Sequence, residues 1–451
     1  MMNYDAAVIG GGPGGYTAAE ASAQAGLRTV LFEKNLIGGT CLNRGCIPTK
    51  AYLHSAETWA VVSRGEIAGI KAGSFDFSAM SRKKDETVSY LRQGVEGRLK
   101  AAGVTVIRGT AQITNPGEVL CDGEIYAASN TIIAAGASAV RPPVPGIDLT
   151  GVYTSDDLLE GTPPEFDSLI IIGGGVIGVE MASIFLPLGK SVTILEMAAR
   201  ILPEMDPEIS RRLALILKKQ GAGIETSASV TAITGSPGQM QVTYTDKKRR
   251  EHTVTAGGVL AATGRRASLS ALFPTAYCPQ LDRGAAVADA DGQTSLPGVY
   301  VIGDARAGNI QLAHVAEAQG KNVAAILSGK KPSVDETVVP ACVYCRPAAA
   351  SVGLTQDGAK AAEYTVRTLK ALTGANGKCV IEGTESGFLK IVADSDTGII
   401  LGAQMVCPEA PDLIGEMAVC VQKKLTVAEL AAVIHPHPAF CELISSAASA
   451  W

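Results

Sequence analysis

The sequence lacks the features that would place the protein in a membrane, outside the cell or on nucleic acid. No stretch reaches the roughly 18 uninterrupted apolar residues that cross a bilayer, and the apolar segment at 169–179 is shorter and rich in glycine. The first residues run directly into an apolar strand pattern, with no basic region and no small-residue cleavage site. Lysine and arginine are scattered and the net charge is −5, which indicates no nucleic-acid surface. We therefore expect a soluble, cytoplasmic protein that binds neither membrane nor nucleic acid.

A single hydrophobic core is also excluded, because a chain of 451 residues is too long for one. Hydrophobic residues make up 47% of the chain and its 50 glycines are spread along it, which is typical of a globular protein with two to four domains. Ten cysteines do not indicate a disulfide scaffold in a chain of this size. Most of them are expected to be small buried apolar residues, so each close pair is considered individually.

An internal repeat organises the chain. Residues 6–33 and 169–196 each contain an apolar run, a G-x-G-x-x-G motif, a helix-compatible stretch, a glycine and a second apolar run ending in glutamate. Four glycines and the glutamate recur 163 positions later. In the first copy they are Gly10, Gly12, Gly15, Gly26 and Glu33, and in the second Gly173, Gly175, Gly178, Gly189 and Glu196. This is the order of the strand–turn–helix–strand unit that binds dinucleotides.

Each part of the motif has a physical reason. The first glycine permits a tight turn, the second lets the backbone approach a pyrophosphate, and the third lets helix and strand pack closely. The helix N-terminus presents free N–H groups to the phosphates, and the glutamate can accept hydrogen bonds from a ribose diol. Glu196 would repel the extra phosphate of NADP, and no cation follows before Arg200, so NAD is favoured. The alternative, two structural glycine turns, does not explain why Glu33 and Glu196 recur at the same offset.

Composition along the chain predicts its domains. Strand-and-glycine segments at 131–137 and 258–266 are interpreted as closing the two nucleotide domains, and linkers rich in proline and glycine lie near the junctions. After residue 336 the pattern is an α+β mixture with no third glycine motif. The fold class is therefore α/β, with two Rossmann-like dinucleotide-binding domains and a C-terminal α+β domain. The predicted bounds are 1–145 for the first domain, 146–266 for the second, 267–335 for a central segment completing the first, and 336–451 for the C-terminal domain.

Two cysteines in the segment GGTCLNRGCIPTK (38–50) directly follow the first nucleotide unit. Zinc explains them poorly, since it takes four ligands at tighter spacing and no partner pair is nearby; a pair of buried free thiols is the other alternative. On an ideal helix, residues i and i+5 have Cα atoms about 8–9 Å apart, whereas a disulfide needs less than about 7 Å. A bridge between Cys41 and Cys46 would distort the turn where Gly45 makes distortion easiest. A strained bridge is readily reduced, so we interpret the pair as redox-active.

Five segments together resemble the signatures of the pyridine nucleotide–disulfide oxidoreductases. In chain order they read GGGPGGYTAAE, GGTCLNRGCIPTK, GGGVIGVE, GVYVIGDA and HPHPAFCE. The resemblance extends from about residue 5 to 446, and the cysteine segment alone is highly specific to the family. Within the family the chain looks most like the members that oxidise dihydrolipoamide. The resemblance implies a flavoprotein that uses FAD and NAD, with a C-terminal domain that forms a homodimer.

The resemblance also implies which residues bind the cofactors, and no metal is expected. The residues implied for FAD are Gly10, Gly12, Pro13, Gly14, Gly15, Glu33, Lys34, Gly39, Thr40, Cys41, Cys46, Lys50, Ala111, Ala135, Gly136, Asp304, Gln311, Leu312, Ala313 and His314. Those implied for NAD are Gly173, Gly175, Val176, Ile177, Gly178, Glu180, Glu196, Val230 and Gly264. Asp304 would approach the ribityl chain, although a helix N-cap is an alternative role. Lys50 would pair with Glu180 beside the flavin.

The C-terminal segment HPHPAFCE supplies an acid–base pair by the same resemblance. The base is His437, and Glu442 would orient its ring and stabilise the protonated form. Imidazole is suited to exchanging protons with a thiol near neutral pH. His435 is interpreted as structural. The family places this segment against the other subunit's flavin, and the His437–Pro438 bond is a candidate cis peptide.

The sequence departs from the family pattern at several positions. Arg44 stands between the two cysteines, where it could lower a thiolate pKa or face solvent. Ala135 stands where threonine is common. Cys342 and Cys345 have thioredoxin-like spacing but are interpreted as structural, and so is Cys441.

The resemblance implies a reaction in which a dihydrolipoyl thiol attacks Cys41 while His437, oriented by Glu442, takes its proton. Cys46 would be left as a thiolate against the flavin, and NAD would accept a hydride. The implied substrate is carried on a lipoylated domain of a 2-oxoacid dehydrogenase or glycine cleavage complex. The alternative is an NAD(P)H-dependent reductase of glutathione or another small disulfide, against which Glu196 argues because such reductases usually prefer NADPH.

Overall fold

The first nucleotide unit is built on a sheet that starts at the N-terminus. The computed structural model describes residues 3–63, 73–274, 276–384 and 386–451. The elements of this unit are β1 (Asn3–Ile9), α1 (Pro13–Gln24), β2 (Thr29–Glu33), α2 (Gly39–Arg44), α3 (Cys46–Ser63), α4 (Phe77–Ala101), β3 (Thr105–Arg108), β4 (Ala111–Asn115), β5 (Glu118–Cys121), β6 (Glu124–Ile133) and β7 (Ser138–Ala139).

The parallel core of this sheet follows from its strand sequences. β1 and β2 are short apolar strands, almost entirely buried, as expected where helices cover both faces of a parallel sheet. The strands lie in the order β3-β2-β1-β6-β5-β4, and β4, β5 and the start of β6 form an antiparallel meander. Helix α1 begins at Pro13, whose fixed φ and missing N–H suit the first turn of a helix.

The second nucleotide unit repeats this plan. Its elements are β8 (Val152–Thr154), α5 (Ser155–Leu159), β9 (Ser168–Ile172), α6 (Val176–Phe185), β10 (Ser191–Glu196), α7 (Pro207–Lys219), β11 (Gly223–Thr226), β12 (Ser229–Ser236), β13 (Gln239–Thr245), β14 (Glu251–Ala256), β15 (Gly258–Ala261) and β16 (Arg265–Arg266). A parallel sheet has the order β11-β10-β9-β15-β8, and β12-β13-β14 form an antiparallel sheet. The sequence repeat is therefore also a structural repeat.

The chain then returns to the first unit. This segment contains β17 (Leu281–Asp282), β18 (Ala285–Ala286), β19 (Val299–Val301) and α8 (Ala313–Leu327), with 3-10 turns at Ser270–Leu272 and Gly303–Ala305. β19 pairs in parallel with β6, and α8 packs against α1. The packing is close: a Cβ added to Gly320 would lie 2.7 Å from the carbonyl oxygen of Gly14.

The C-terminal unit has an antiparallel sheet of order β20-β21-β24-β23-β22. Its elements are β20 (Ala341–Val343), β21 (Ala349–Gly353), α9 (Gln356–Ala361), β22 (Val366–Leu372), α10 (Gly377–Ile381), β23 (Phe388–Asp394), β24 (Ile400–Val406), α11 (Ala410–Gln422), α12 (Val427–Ala431) and α13 (Glu442–Ala448), with a 3-10 turn at Thr373–Ala375. The predicted fold class is confirmed. Within the described ranges, no helix combines the length and apolarity needed to cross a membrane.

Candidate active site

One large cavity joins the predicted nucleotide sites to the cysteine pair. It has a volume of about 1830 Å³ and is lined by both glycine turns, by the cysteine segment and by residues beside β20. Every residue that the sequence predicts for FAD or NAD lines this cavity, with two exceptions, Gly15 and Gly178. The predicted acid–base pair does not line it.

The glycines of the first motif behave differently from one another. Gly10 has φ +105, a left-handed conformation, at the turn after β1. A Cβ on Gly15 would lie 1.8 Å from the carbonyl oxygen of Gly10, so Gly15 serves helix–strand packing and not the cavity. Among the described residues, the nearest atom to a Cβ on Gly12 would be 3.9 Å away, and Gly12 lines the cavity. No described residue would clash with a side chain at Gly12, so the space beside it is available to a ligand such as a pyrophosphate.

The second motif repeats this division. Gly173 has φ +108, and a Cβ on Gly178 would lie 2.0 Å from its carbonyl oxygen. A Cβ on Gly175 would have no neighbour within 4 Å among the described residues. Both cradles therefore have room where a dinucleotide pyrophosphate would lie.

The two glutamates hold their own glycine turns. Glu33 accepts hydrogen bonds from the backbone N–H groups of Gly11 and Asn35, both at 2.7 Å. Glu196 accepts the equivalent bonds from Gly174 and Ala198, both at 2.6 Å. Both carboxylates also line the cavity, so their predicted contacts with ribose are compatible with this structural role.

The cysteine pair lies where the helix is interrupted. Cys41 is in α2, Gly45 interrupts the helix, and Cys46 is the first residue of α3. A Cβ on Gly45 would come within 2.9 Å of the carbonyl oxygen of Thr40, so glycine allows the two helices to approach. Both thiols are free, with Cys46 exposed and Cys41 half-buried.

The two thiols differ strongly in acidity. A hydrogen bond from Cys41 lowers the pKa of Cys46 to about 7, and the charge of Lys50 lowers it further, whereas the partial desolvation of the thiol on the cavity wall opposes both. The same hydrogen bond, together with burial, raises the pKa of Cys41 well above its ordinary value. In the reduced pair, Cys46 is therefore the more acidic thiol, and Cys41 donates the hydrogen bond that stabilises its thiolate form.

Lys50 lies one helical turn after Cys46 and joins three parts of the chain. Its Nζ lies 2.9 and 2.8 Å from the two carboxylate oxygens of Glu180, which is on α6. Glu180 also accepts a hydrogen bond from the backbone N–H of Tyr344 at 3.1 Å. The ring of Tyr344 lies under the ammonium group, 4.2 Å from Nζ to the centroid, a cation–π contact. The predicted ion pair therefore forms, and a residue of the C-terminal unit supports it.

His437 and Glu442 form a second, exposed cluster. His437 Nδ1 lies 2.9 Å from Glu442 Oε1, and the other oxygen of Glu442 accepts a hydrogen bond from the backbone of Ala439 at 2.8 Å. These contacts, the backbone bond first, lower the pKa of Glu442. The His437–Pro438 peptide bond is cis. The imidazole is 78% exposed, so its second nitrogen is available to a group outside this chain.

The remaining unusual residues have structural contacts. Arg44 lies between two carboxylates, with Nη1 3.6 Å from Glu160 and Nε 3.9 Å from Asp156. Cys342 lines the cavity, and burial raises its pKa to about 11. The thiol of Cys345 is buried in a different apolar cluster from Cys342, so the two face apart.

Two residues that the sequence did not single out shape the site. Tyr344 lies between Cys342 and Cys345, and the spacing of these cysteines gives no reason to single it out. Arg265 follows the predicted Gly264 and donates to Asp156 Oδ1 at 2.8 Å and to the carbonyl of Ala137 at 2.9 Å. Burial raises the pKa of Asp304, and Arg265 opposes this shift. The only sequence signal for these residues is their proximity to predicted ones.

Two dinucleotide cradles that share a cavity with a polarised dithiol are typical of enzymes that pass electrons between thiols and nucleotides. Comparison with known proteins agrees. Residues 4–320 match the family described as pyridine nucleotide-disulphide oxidoreductase, and residues 339–448 match its dimerisation domain.

Relatives and solved structures match over nearly the whole chain. A dihydrolipoyl dehydrogenase of Bacillus subtilis is 37% identical, covering 99% of this chain and 98% of the relative. A dihydrolipoyl dehydrogenase of Chlorobaculum tepidum is 35% identical, covering 99% and 96%. The Cu(II) complex of RclA, an HOCl-induced flavoprotein disulfide reductase from Escherichia coli, is 30% identical with a TM-score of 0.89, covering 100% of both chains.

The chain belongs to the pyridine nucleotide–disulfide oxidoreductase family, which confirms the resemblance found in the sequence. It is an FAD-dependent disulfide oxidoreductase, and its cofactors are FAD and NAD. The matched dimerisation domain supports a homodimer. The roles of individual residues stay predictions.

Proposed function

We propose that the protein oxidises dihydrolipoamide carried on lipoylated domains, with NAD+ as the final acceptor. The balanced reaction is dihydrolipoamide + NAD+ → lipoamide + NADH + H+. The names of the Bacillus and Chlorobaculum relatives support this substrate. The observation that carries the proposal is the single cavity that the Cys41–Cys46 pair lines together with both dinucleotide cradles, since electrons can pass there from a substrate dithiol to a nucleotide. The hydrogen bond from Cys41 that lowers the pKa of Cys46 agrees with it, because a dithiol acceptor needs one sulfur that leaves as a thiolate.

The exchange starts from the Cys41–Cys46 disulfide. A substrate thiolate attacks the sulfur of Cys41, the bond between the two protein sulfurs breaks, and Cys46 leaves as a thiolate. The second substrate sulfur then displaces Cys41, which closes the lipoyl ring. The pair has gained two electrons, Cys41 has taken one substrate proton, and the other proton has gone to a base. The lowered pKa of Cys46 makes it the better leaving group in the first step.

His437 of the partner subunit is the proposed base. Its Nδ1 is held by Glu442, which leaves Nε2 to accept the proton of the attacking thiol. The carboxylate stabilises the imidazolium that forms. The exposure of this imidazole and its absence from the lining of the chain's own cavity support a role in the other subunit's site.

The cradle with Gly12, Glu33 and Asp304 would hold FAD, and the cradle with Gly175 and Glu196 would hold NAD. When bound, the flavin supplies two-electron chemistry between the dithiol and NAD+. The ammonium group of Lys50, held by its ion pair, provides a fixed positive charge beside the Cys46 thiolate.

A steady-state comparison of purified protein tests the proposal. Rates are measured with dihydrolipoamide and NAD+, with lipoamide and NADH, and with glutathione disulfide and either reduced nucleotide. We expect the lipoyl pairs with NAD to exceed all others in kcat/KM by at least about a hundredfold, a ratio that a site built for one substrate achieves. Equal or higher rates with glutathione disulfide would contradict the proposal.

A reductase of another disulfide is the second candidate, because the structure of RclA, a flavoprotein disulfide reductase, superposes over the whole chain. The same assay separates the two. A reductase predicts negligible turnover in the dihydrolipoamide direction. The lipoyl proposal predicts turnover in both directions.

A further inference from the structure

The interruption at Gly45 places the two redox cysteines on separate helices, and each helix is attached to the second nucleotide unit. Helix α3 is attached through the ion pair of Lys50 with Glu180. Helix α2 is attached through Asp156, which lies on α5. The relative position of the two sulfurs therefore depends on contacts outside the first unit.

Asp156 reaches both ends of α2. At the C-terminal end its carboxylate lies 3.9 Å from Nε of Arg44. At the N-terminal end it binds Arg265 at 2.8 Å, and Nη2 of Arg265 lies 3.3 Å from the hydroxyl of Thr40, the residue before Cys41. The carboxylate of Asp156 thus contacts α2 directly at Arg44 and indirectly, through Arg265, at Thr40.

These contacts are shielded from solvent. The side chain of Arg265 is 13% exposed and that of Asp156 is 23% exposed. Nε of Arg44 is buried without a hydrogen-bond partner in the part of the chain that the structure describes, so the nearby carboxylate of Asp156 balances its charge. Removing one partner from such a group costs more than removing an exposed ion pair.

We propose that Asp156 is a positioning residue that holds α2 so that the sulfur of Cys41 stays within reach of Cys46. This inference rests on the proposed redox role of that pair. Two thiols held together close a disulfide at a high effective concentration, and freeing one helix lowers that concentration. Loss of Asp156 also weakens the hydrogen bond from Cys41, which is the main cause of the lowered pKa of Cys46.

The test equilibrates the flavin-loaded protein with glutathione buffers, in which protein dithiol + GSSG → protein disulfide + 2 GSH. Acid quenching, alkylation and mass spectrometry give the fraction of Cys41–Cys46 disulfide. At about pH 6, where Cys46 is mostly protonated and its acidity contributes little to the equilibrium, Asp156→Asn should lower the equilibrium constant for disulfide formation about tenfold, which corresponds to about 30 mV. Alkylation rates of the reduced variant against pH should also show a higher pKa for Cys46.

Two further variants complete the experiment. Arg44→Met removes the direct contact between Asp156 and α2 and leaves the Asp156–Arg265 contact intact. It should therefore also lower the equilibrium constant for disulfide formation. Glu160→Gln is the matched control, because Glu160 also contacts Arg44 but is 67% exposed; its change should stay below about twofold.

A folded Asp156→Asn protein with an unchanged equilibrium constant and an unchanged pH profile overturns the inference. If that variant does not fold, as judged by thermal melting, an unchanged constant in Arg44→Met overturns it instead. A wild-type protein that never forms the Cys41–Cys46 disulfide contradicts the proposed function, and this inference with it, so the two failures are distinguishable.

Discussion

Two substitutions within one ion pair should move the acidity of Cys46 in opposite directions. After the hydrogen bond from Cys41, the positive charge of Lys50 is the largest influence that lowers the pKa of Cys46, whereas the negative charge of Glu180 raises it. Lys50→Met should therefore raise the pKa of Cys46, and Glu180→Gln should lower it. Opposite signs separate an electrostatic effect from unfolding, because unfolding would move both variants toward the ordinary cysteine value.

The magnitude follows from the helix. Cys46 and Lys50 are four residues apart in α3, so their side chains are neighbours at about 5–6 Å. At about 6 Å and an effective dielectric constant of about 40, a unit charge contributes about 1.4 kcal/mol, or about one pKa unit. Glu180 offsets part of this charge through its contacts at 2.8 and 2.9 Å. We expect Lys50→Met to raise the pKa by about half a unit to one unit, which slows alkylation below that pKa about three- to tenfold.

The assay is alkylation of the reduced protein by iodoacetamide between about pH 5 and 10, a range that spans ordinary and lowered thiol pKa values. Mass spectrometry of the Cys46 peptide gives the rate at each pH. Lys50→Arg is the control, because it keeps the charge and should keep the profile. A Lys50→Met profile that superimposes on wild type, or a Glu180→Gln profile shifted to higher pH, would refute the reasoning.

Three further predictions concern the cofactor cradles and the base. Gly12→Ala should fold, because Gly12 has φ −72 and open space among the described residues where a Cβ would lie. The purified variant should bind less FAD, measured as flavin absorbance per polypeptide. Gly15→Ala should instead give less soluble protein, since its Cβ would lie 1.8 Å from the carbonyl oxygen of Gly10. Glu196→Ala should raise the KM for NADH about tenfold, because a contact with the nucleotide is lost. It should also lower the ratio of kcat/KM for NADH to kcat/KM for NADPH, because the carboxylate that repels the extra phosphate is gone. An unchanged ratio would show that Glu196 does not select the nucleotide. His437→Gln should lower kcat about 10²- to 10⁴-fold, as expected for loss of a general base. His435→Gln should leave kcat within about threefold, because the His435 ring is buried against Glu416 and has a structural role. Equal losses of kcat in both variants would argue against His437 as the base.

The sequence predicted the two glycine turns correctly because their constraints are local. The carbonyl of Gly10 blocks any Cβ at Gly15, and this requirement appears as a fixed spacing between two glycines. The same constraint at Gly173 and Gly178 produces the repeat. Fold class followed, since the repeated unit implies a parallel sheet.

Apart from the Lys50–Glu180 ion pair, which the family resemblance implied, the contacts between units were not predicted, because they depend on how distant segments dock. Asp156 is 109 residues from Arg265, and Tyr344 is 164 residues from Glu180. None of these pairs has a spacing that a helix or strand would impose. The same reason explains Arg44, for which the sequence left acidification of a thiol or exposure to solvent open, whereas the structure places it between two carboxylates.

The central claim is that each reaction centre combines the cysteine pair of one protomer with His437 of the partner subunit, and subunit mixing tests it directly. Inactive Cys41→Ser and His437→Gln proteins are partly denatured together, allowed to reassociate, and assayed with dihydrolipoamide and NAD+. In a two-fold dimer, random exchange makes about half of the dimers hybrid, and each hybrid restores one intact centre, so about a quarter of wild-type turnover should appear. Subunit exchange demonstrated by mass spectrometry without any recovered turnover would contradict the account.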